Sequence, residues 1–162
     1  MSFELEGDLR AWVRKQLGPV IRWIEPSRGS TDGLPDCWFH LPVAGQLPMT
    51  VWVELKIGEL DRDGSMIRFK MRPAQKRVIE EMVDEGGLVF LLVGEKGGDR
   101  VWLFHPDLAQ ADGWIDLELM VTEGKCWGMD LSPWAFPTLI RMAVQSIKVP
   151  KEGPQLKKIG GK

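Results

Sequence analysis

One short segment, Val51-Trp52-Val53-Glu54-Leu55-Lys56, constrains this chain more than any other. It is rich in β-branched and apolar residues, which favours a strand inside a sheet. Because the side chains of a strand alternate between its two faces, Glu54 and Lys56 project from one side, while Val53 and Leu55 face the core. A buried strand needs no charged face, so the pair indicates a functional site. The alternative is an ion pair on a solvent-facing sheet, which would contribute little free energy.

A second acidic residue, Asp36, closes the segment Gly33-Leu34-Pro35-Asp36 before a predicted strand over residues 37–41. If that strand brings Asp36 alongside Glu54, two carboxylates converge. Hard oxygen ligands with no sulfur or imidazole nearby suit Mg²⁺ better than Zn²⁺. We therefore expect a Mg²⁺ site, for which Mn²⁺ would substitute, with Lys56 beside the metal. The alternative for Asp36 is that it caps a turn.

The composition indicates one domain and argues against several classes of protein. The chain has 162 residues, 44% of them hydrophobic, which is enough for one sizeable core. Two cysteines are too few for a disulfide framework, and two histidines show no zinc-ligand spacing. The acidic N-terminus and the lack of a long apolar run argue against secretion and a membrane span. We expect a cytoplasmic protein with no membrane partner.

The net charge of -2 gives the chain no overall basic footprint of the kind that nucleic-acid-binding proteins usually carry. Basic residues are instead concentrated over residues 56–77 and in the tail after residue 146. The first stretch flanks the predicted metal site, where cations would hold a phosphate backbone. The predicted nucleic-acid-binding residues are Arg62, Arg68, Lys70, Arg72 and Lys76. The alternatives are ordinary solvated charges or a protein-binding surface.

Hydrophobic periodicity and turn residues predict an α/β chain. Apolar residues at helical spacing predict a helix over residues 4–17, and a second helix opens at Arg72-Pro73 and ends at Gly86-Gly87. Predicted strands span residues 20–24, 37–41, 50–57, 88–93 and 100–104, with a hairpin around Asp63-Gly64. The strand over residues 88–93 follows a helix, as expected of a parallel crossover.

The pattern weakens after about residue 108. Residues 115–121 and 125–129 look extended, and apolar spacing predicts a helix over residues 137–147. We therefore divide the chain into a core over residues 1–108, a C-terminal extension packed on it over residues 109–147, and a basic flexible tail over residues 148–162.

The order of these elements and their motifs resembles the PD-(D/E)xK nuclease superfamily, and within it the virus-type replication-repair (VRR-NUC) nucleases and the Holliday-junction resolvases. Gly33-Leu34-Pro35-Asp36 looks like the Gly-x-Pro-Asp signature of that family, and Val53-Glu54-Leu55-Lys56 looks like its Val-Glu-x-Lys strand. Arg72-Pro73-Ala74-Gln75 resembles the opening of its second helix. Glu6 resembles its first-helix acid, with Glu4 as the alternative. The resemblance covers residues 4–93; the connection over residues 56–75 is longer than is typical, and the final third has no counterpart.

The resemblance implies a restriction-endonuclease-like core, with a mixed central β-sheet flanked by helices, and a metal-dependent deoxyribonuclease directed to junction, flap or nicked DNA. The metal ligands that it implies are Asp36, Glu54, the Leu55 carbonyl and Glu6. Lys56 would orient or deprotonate the attacking water, and Gln75 would steady the lysine or the water. A dication would lower the pKa of Lys56 and the carboxylates would raise it, and the sequence leaves that balance open.

Other interpretations also follow from the sequence. Trp114, Trp127 and Trp134 either stack on unpaired bases or lie in the core. Cys37 is predicted to be a buried thiol on the face opposite Asp36, and neither histidine is predicted to be catalytic. A function of a different class is a non-catalytic module that binds nucleic acid or protein on the same fold. Symmetric junction substrates would favour a homodimer.

Overall fold

The structure, a computed structural model, describes residues 2–24, 33–42, 48–130 and 135–146. These residues form a mixed α/β fold. The helices are α1 (Glu6–Leu17), α2 (Pro73–Asp84), α3 (Leu117–Thr122) and α4 (Ala135–Ser146), with short 3₁₀ helices at Gly18–Val20 and Pro106–Gln110. The strands are β1 (Arg22–Trp23), β2 (Cys37–Leu41), β3 (Met49–Leu60), β4 (Met66–Arg68), β5 (Leu88–Glu95), β6 (Arg100–Phe104), β7 (Ile115–Asp116) and β8 (Cys126–Asp130).

The strands form one open mixed sheet. Its main path runs β1-β2-β3-β5-β6-β8, so β3 has a neighbour on both sides. The pair β3–β5 is parallel, and the crossover between them passes through α2, as predicted. The other described pairs are antiparallel, and β4 and β7 continue the sheet from the far end of β3. The predicted coarse class, a mixed sheet flanked by helices, is confirmed.

Helices cover both faces of the sheet. On one face, Leu55 of β3 and Leu92 of β5 belong to a buried cluster with Leu9 of α1 and Leu139 of α4. On the other face, the neighbouring residues of β5, such as Leu91, belong to a second cluster with α2 and the 3₁₀ helix Pro106–Gln110. The side chains of β3 alternate between the two faces in the same way as those of β5. The side chains of β3 that are not in the first cluster therefore point toward the face covered by α2.

The long connection after the predicted strand 50–57 is a β-hairpin. Strand β3 runs on to Leu60 because its last residues pair with β4, with Glu59 opposite Arg68. Gly64 has a φ of 73°, which a tight turn requires and which glycine adopts without strain. The hairpin predicted around Asp63-Gly64 is therefore confirmed.

Two predicted strands are much shorter than predicted. Residues 115–121 are not extended throughout, because only Ile115–Asp116 forms a strand before α3 begins. The Asp116 carboxylate accepts a hydrogen bond from the Leu119 backbone N–H (2.9 Å), and this N-cap starts a helix where β-propensity predicts a strand. The predicted strand 20–24 is a 3₁₀ helix at Gly18–Val20 followed by a two-residue strand.

The final third contributes to the main sheet and core. Strand β8 pairs with β6 along its length. Helix α4, predicted over residues 137–147, buries Phe136, Ile140 and Ala143 in the cluster that α1 and β3 share. The predicted flexible tail over residues 148–162 lies outside the described residues. No helix in the described part of the chain combines the length and apolar character needed to cross a bilayer.

Candidate active site

Strand β3 holds two charged side chains inside the fold. Glu54 is 0% exposed and Lys56 is 5% exposed. The Lys56 Nζ lies 2.6 Å from Glu54 Oε1 and 3.2 Å from Oε1 of Glu6, at the start of α1. Glu54 and Lys56 are therefore a buried pair and not an ion pair on a solvent-facing sheet. Of the two candidate helix acids, Glu6 is the one that contacts the lysine.

Asp36 reaches the same strand from the segment before β2. The pairing of β2 with β3 ends at Cys37 opposite Val53, so the backbone of Leu55 lies beyond the last pair. The Asp36 Oδ2 accepts a hydrogen bond from the Leu55 N–H at 2.8 Å. In a strand the N–H and C=O of one residue point to the same edge, so the Leu55 carbonyl is directed toward this edge too.

A glycine allows this approach. Gly33 has a φ of 93°, and a Cβ on it would lie 2.6 Å from the Ala74 carbonyl oxygen of α2. Only glycine fits such a contact, in a conformation that other residues rarely adopt. The Gly-x-Pro-Asp segment therefore packs directly on the first turn of α2, and this contact positions Asp36 next to β3.

The first turn of α2 supplies a buried amide. Gln75 is 5% exposed, and its Oε1 accepts a hydrogen bond from the Arg72 backbone N–H at 3.1 Å. Since the amide oxygen faces that donor, the amide nitrogen points the other way. It donates a hydrogen bond to Glu54 Oε1. Gln75 thus connects the start of α2 to the carboxylate of β3.

Burial and charge set the protonation of this pair. Burial raises the pKa of Glu54 to about 7, with the negative charge of Asp36 adding to the effect and the cation of Lys56 opposing it. For Lys56, burial lowers the pKa, but the carboxylates of Glu54, Glu6 and Asp36 outweigh burial and raise it above its usual range. In the protein alone, the carboxylates therefore favour the ammonium form of Lys56.

The donor set suits a hard cation. The second carboxylate oxygen of Glu54, Oε2, is buried and has no hydrogen-bond partner among the described residues. A buried carboxylate oxygen without a partner is costly, which is typical of a position that a ligand completes. Asp36, Glu54 and the Leu55 carbonyl offer oxygen ligands alone, the preference of Mg²⁺. Within the described ranges, no three His, Cys, Asp or Glu side chains form a group that could hold a metal ion.

A cleft opens next to the pair, with a volume of about 350 Å³. Its charged lining combines acidic and basic side chains: Glu4, Glu6, Glu59, Lys56, Arg68, Lys70 and Lys96. We call it the β3–β4 cleft. Along the cleft, Arg68 and Lys96 both contact the Glu59 carboxylate, and Lys70 lies beside them.

The predicted nucleic-acid-binding residues have different surroundings. Arg68 and Lys70 line the β3–β4 cleft. Arg62 is exposed in the turn between β3 and β4, and Arg72 is the N-cap residue of α2. Lys76 lies on α2, where its ammonium is 2.8 Å from the Asp112 carboxylate. The structure thus brings two of the five to the cleft.

The predicted tryptophans have different surroundings. Trp114 is 43% exposed, and the guanidinium of Arg68 lies 4.9 Å from its ring centroid. Trp127 is half-buried in a T-shaped contact with Phe90, and Trp134 lies outside the described residues. Cys37 is buried in the α1 cluster, on the face opposite Asp36, as predicted.

Sequence reasoning missed an aromatic group near the site. Trp38, His40 and Trp52 lie on β2 and β3, and their positions share the parity of Asp36 and Glu54. The alternation that placed Glu54 and Lys56 on one face also places these rings there. The signal was therefore present in the sequence.

Comparison with known proteins assigns this chain to no family. No protein-family model matches the chain, and a search of curated proteins gives no match. The arrangement of Asp36, Glu54, Lys56 and Gln75 is therefore the basis on which function is inferred.

Proposed function

We propose that this chain is a Mg²⁺-dependent nuclease that hydrolyses phosphodiester bonds in DNA, on a restriction-endonuclease-like core of the PD-(D/E)xK type. One observation carries the proposal. The carboxylate of Glu54 is fully buried, contacts the Lys56 ammonium through one oxygen, and has no described hydrogen-bond partner for the other. A stable core gains little from such a residue, so a bound ligand is the better explanation.

Each side chain has a role in this proposal. Asp36, Glu54 and the Leu55 carbonyl would hold the metal, with Glu6 serving a second ion or positioning water. Bound Mg²⁺ would lower the pKa of water and neutralise charge that develops on the phosphate. Gln75 keeps Glu54 in place through its amide N–H.

Lys56 is protonated in the protein alone. Its pKa is raised by the surrounding carboxylates, which outweigh burial, so the side chain holds its proton in the protein alone. An ammonium donates hydrogen bonds and accepts none. In this form Lys56 can orient a water oxygen, or a phosphate oxygen on which negative charge increases. Bound Mg²⁺ would lower the pKa of Lys56, so the proposal keeps both roles, orienting and deprotonating the attacking water.

The β3–β4 cleft supports a phosphate-bearing substrate. Arg68, Lys70 and Lys96 line it together with Lys56, and a DNA backbone in the cleft would take the place of the Glu59 carboxylate at Arg68 and Lys96. Contacts of this kind carry no sequence information and favour recognition by shape. Junction, flap or nicked DNA is the proposed substrate class, and cleavage should fall steeply as salt rises.

The decisive experiment is cleavage of plasmid, single-stranded, flap and four-way-junction DNA with Mg²⁺ or Mn²⁺. Asp36→Asn and Glu54→Gln should each lower the rate by about a hundredfold or more, because each removes a charge that holds the metal. The matched control is Glu81→Gln, an acid on α2 that does not line the cleft. Its carboxylate is exposed and lies 3.9 Å from Arg77, so the rate of this variant should stay within about twofold of the parent.

Cleavage that survives both Asp36→Asn and Glu54→Gln would contradict the assignment. A parent protein that binds these DNAs without cutting them would instead favour the non-catalytic binding module. End-labelled substrates would separate endonuclease from exonuclease products in the same assay.

A further inference from the structure

Three aromatic side chains form a row on strands β2 and β3. Trp38 and Trp52 lie directly opposite each other in the antiparallel pair, with ring centroids 5.9 Å apart. The His40 ring contacts Trp38 edge-on, with centroids 5.2 Å apart, and its Nδ1 lies 3.2 Å from Thr50 Oγ1. We call these three residues the aromatic row.

The aromatic row is continuous with the candidate active site. Trp38 lies on β2, two residues after Asp36, which precedes the strand, and Trp52 lies on β3, two residues before Glu54. Residues two apart in a strand share a face and are separated by roughly 7 Å. Trp38 and Trp52 are therefore the next side chains on this face after the two carboxylates. Along β3 they precede Glu54, whereas the β3–β4 cleft lies on the other side of it.

Burial separates these rings from the core aromatics. Trp12 and Trp102 are buried, whereas Trp38 is half-buried and His40 is exposed. Trp52 is half-buried and packs in part against the cluster on the α2 face, so Trp38 and His40 are the more accessible members of the row. A cross-strand aromatic pair stabilises a sheet by itself, and this contribution accounts for the contact between Trp38 and Trp52. It does not account for an accessible row that leads to a pair of acids.

A basic residue lies next to the aromatic row in the sheet register. Arg22 of β1 is directly opposite Trp38 in the antiparallel register, so its side chain is on the same face. It is exposed. Positive charge beside stacked rings is the combination that single-stranded nucleic acid requires, because the rings hold bases and the cation attracts phosphate.

We infer that the aromatic row binds unpaired bases of the DNA strand whose phosphate lies at Asp36 and Glu54. The inference rests on the proposed nuclease function and specifies its substrate class, DNA with a single-stranded segment next to the cut. Every base has a π-face, so stacking on Trp38 and Trp52 tolerates any sequence. Aromatic residues on a sheet surface hold two or three bases in this way in other nucleic-acid-binding folds.

Binding without metal tests the inference separately from cleavage. Fluorescence anisotropy in EDTA would compare a labelled single-stranded DNA, the same sequence in RNA and a blunt DNA duplex. Trp38→Ala should weaken binding of the single strand by about tenfold, because one stacked base is lost, and should change duplex binding little. Trp38→Phe keeps a ring and should retain most of the affinity.

Two further variants separate loss of stacking from a general effect on the protein. The matched control is Trp23→Ala: Trp23 is also half-buried and is paired in register with Cys37, on the opposite face of the sheet. It should leave single-strand binding unchanged. His40→Ala alters an exposed residue of the row, so a folded protein with about twofold to threefold weaker single-strand binding is expected.

Several outcomes would overturn the inference: no single-strand binding by the parent, equal losses for Trp38→Ala and Trp23→Ala, or equal losses on single strand and duplex. Tighter binding of RNA than of DNA would overturn the choice of DNA. The two proposals fail separately. Loss of cleavage in Glu54→Gln with unchanged binding in Trp38→Ala supports the nuclease alone, and the reverse pattern supports the stacking surface alone.

Discussion

Two glutamates on the same strand show how position changes the chemistry of one residue type. Glu54 and Glu59 both lie on β3 and both contact cations: Glu54 contacts Lys56 at 2.6 Å, and Glu59 contacts Arg68 at 3.0 Å and Lys96 at 3.1 Å. Yet burial raises the pKa of Glu54 to about 7, whereas hydrogen bonds from Arg68 and Lys96 lower the pKa of Glu59.

The difference comes from solvation. The Glu59 side chain is 48% exposed, so water stabilises its charge and its ion pairs add little. Glu54 has no exposed surface, and one lysine does not fully compensate for the water that it loses. The ion pairs of Glu59 are therefore surface contacts, whereas the ion pair of Glu54 is buried and leaves Oε2 without a described hydrogen-bond partner. Three predictions test this contrast.

The largest difference is expected when each cation is removed. Lys56→Met leaves Glu54 buried without its partner and should lower the free energy of unfolding by about 3–5 kcal/mol above neutral pH. Lys96→Met removes an exposed partner of Glu59 and should cost at most about 1 kcal/mol. Urea unfolding of both variants measures the two values. Equal costs would show that burial does not distinguish the two ends of β3.

The second prediction concerns pH. Since the pKa of Glu54 rises from its ordinary 4.5 to about 7 in the folded protein, the unfolded chain ionises first as pH rises. As pH rises from 4.5 to about 7, ionisation of Glu54 should therefore lower the free energy of unfolding by about 3 kcal/mol. Above pH of about 7 this residue should cause no further change. Urea unfolding across this range should show a decline that Glu54→Gln removes.

Glu59 provides the contrast in the same experiment. Its pKa is lowered by Arg68 and Lys96, so its contribution is present above its ordinary pKa and is lost on acidification. Glu59→Gln should therefore leave the decline toward neutral pH intact. A decline that persists in Glu54→Gln would contradict the assignment of this pH dependence to Glu54.

The smallest of the three effects concerns the amide that orients Glu54. Gln75→Leu removes a buried hydrogen bond to a charged group and should lower the free energy of unfolding by about 1.5–3 kcal/mol. The matched control is Gln110→Ala, an exposed amide that donates to the Lys76 carbonyl at 3.3 Å. It should change stability by about 0.5 kcal/mol or less. If Gln75→Leu and Gln110→Ala lowered the free energy of unfolding equally, the buried hydrogen bond of Gln75 would contribute no more than an exposed one.

Local patterns predicted most of the regular structure. The periodic run in α1, the proline at the start of α2 and the apolar run of β5 each fix an element without help from distant residues. The predictions were wrong where one side chain outweighed propensity. At Asp116 a cap begins α3 inside a segment that looks extended.

The candidate site was predictable in part for the same reason. Alternation along β3 was enough to place Glu54 and Lys56 together, and it would also have placed Trp52 beside them. The alternation of side chains along one strand does not predict which residues of other segments will contact it. It could not show that Asp36 would bind the Leu55 N–H, or that Lys76 would pair with Asp112 away from the cleft.

The sequence by itself determined which residues of this protein share a strand or a helix face, because backbone geometry fixes that periodicity over a few residues. Only the tertiary structure decided which of the charged residues lost water, because burial depends on every element packed around a position. That is why two glutamates five residues apart have pKa values shifted in opposite directions.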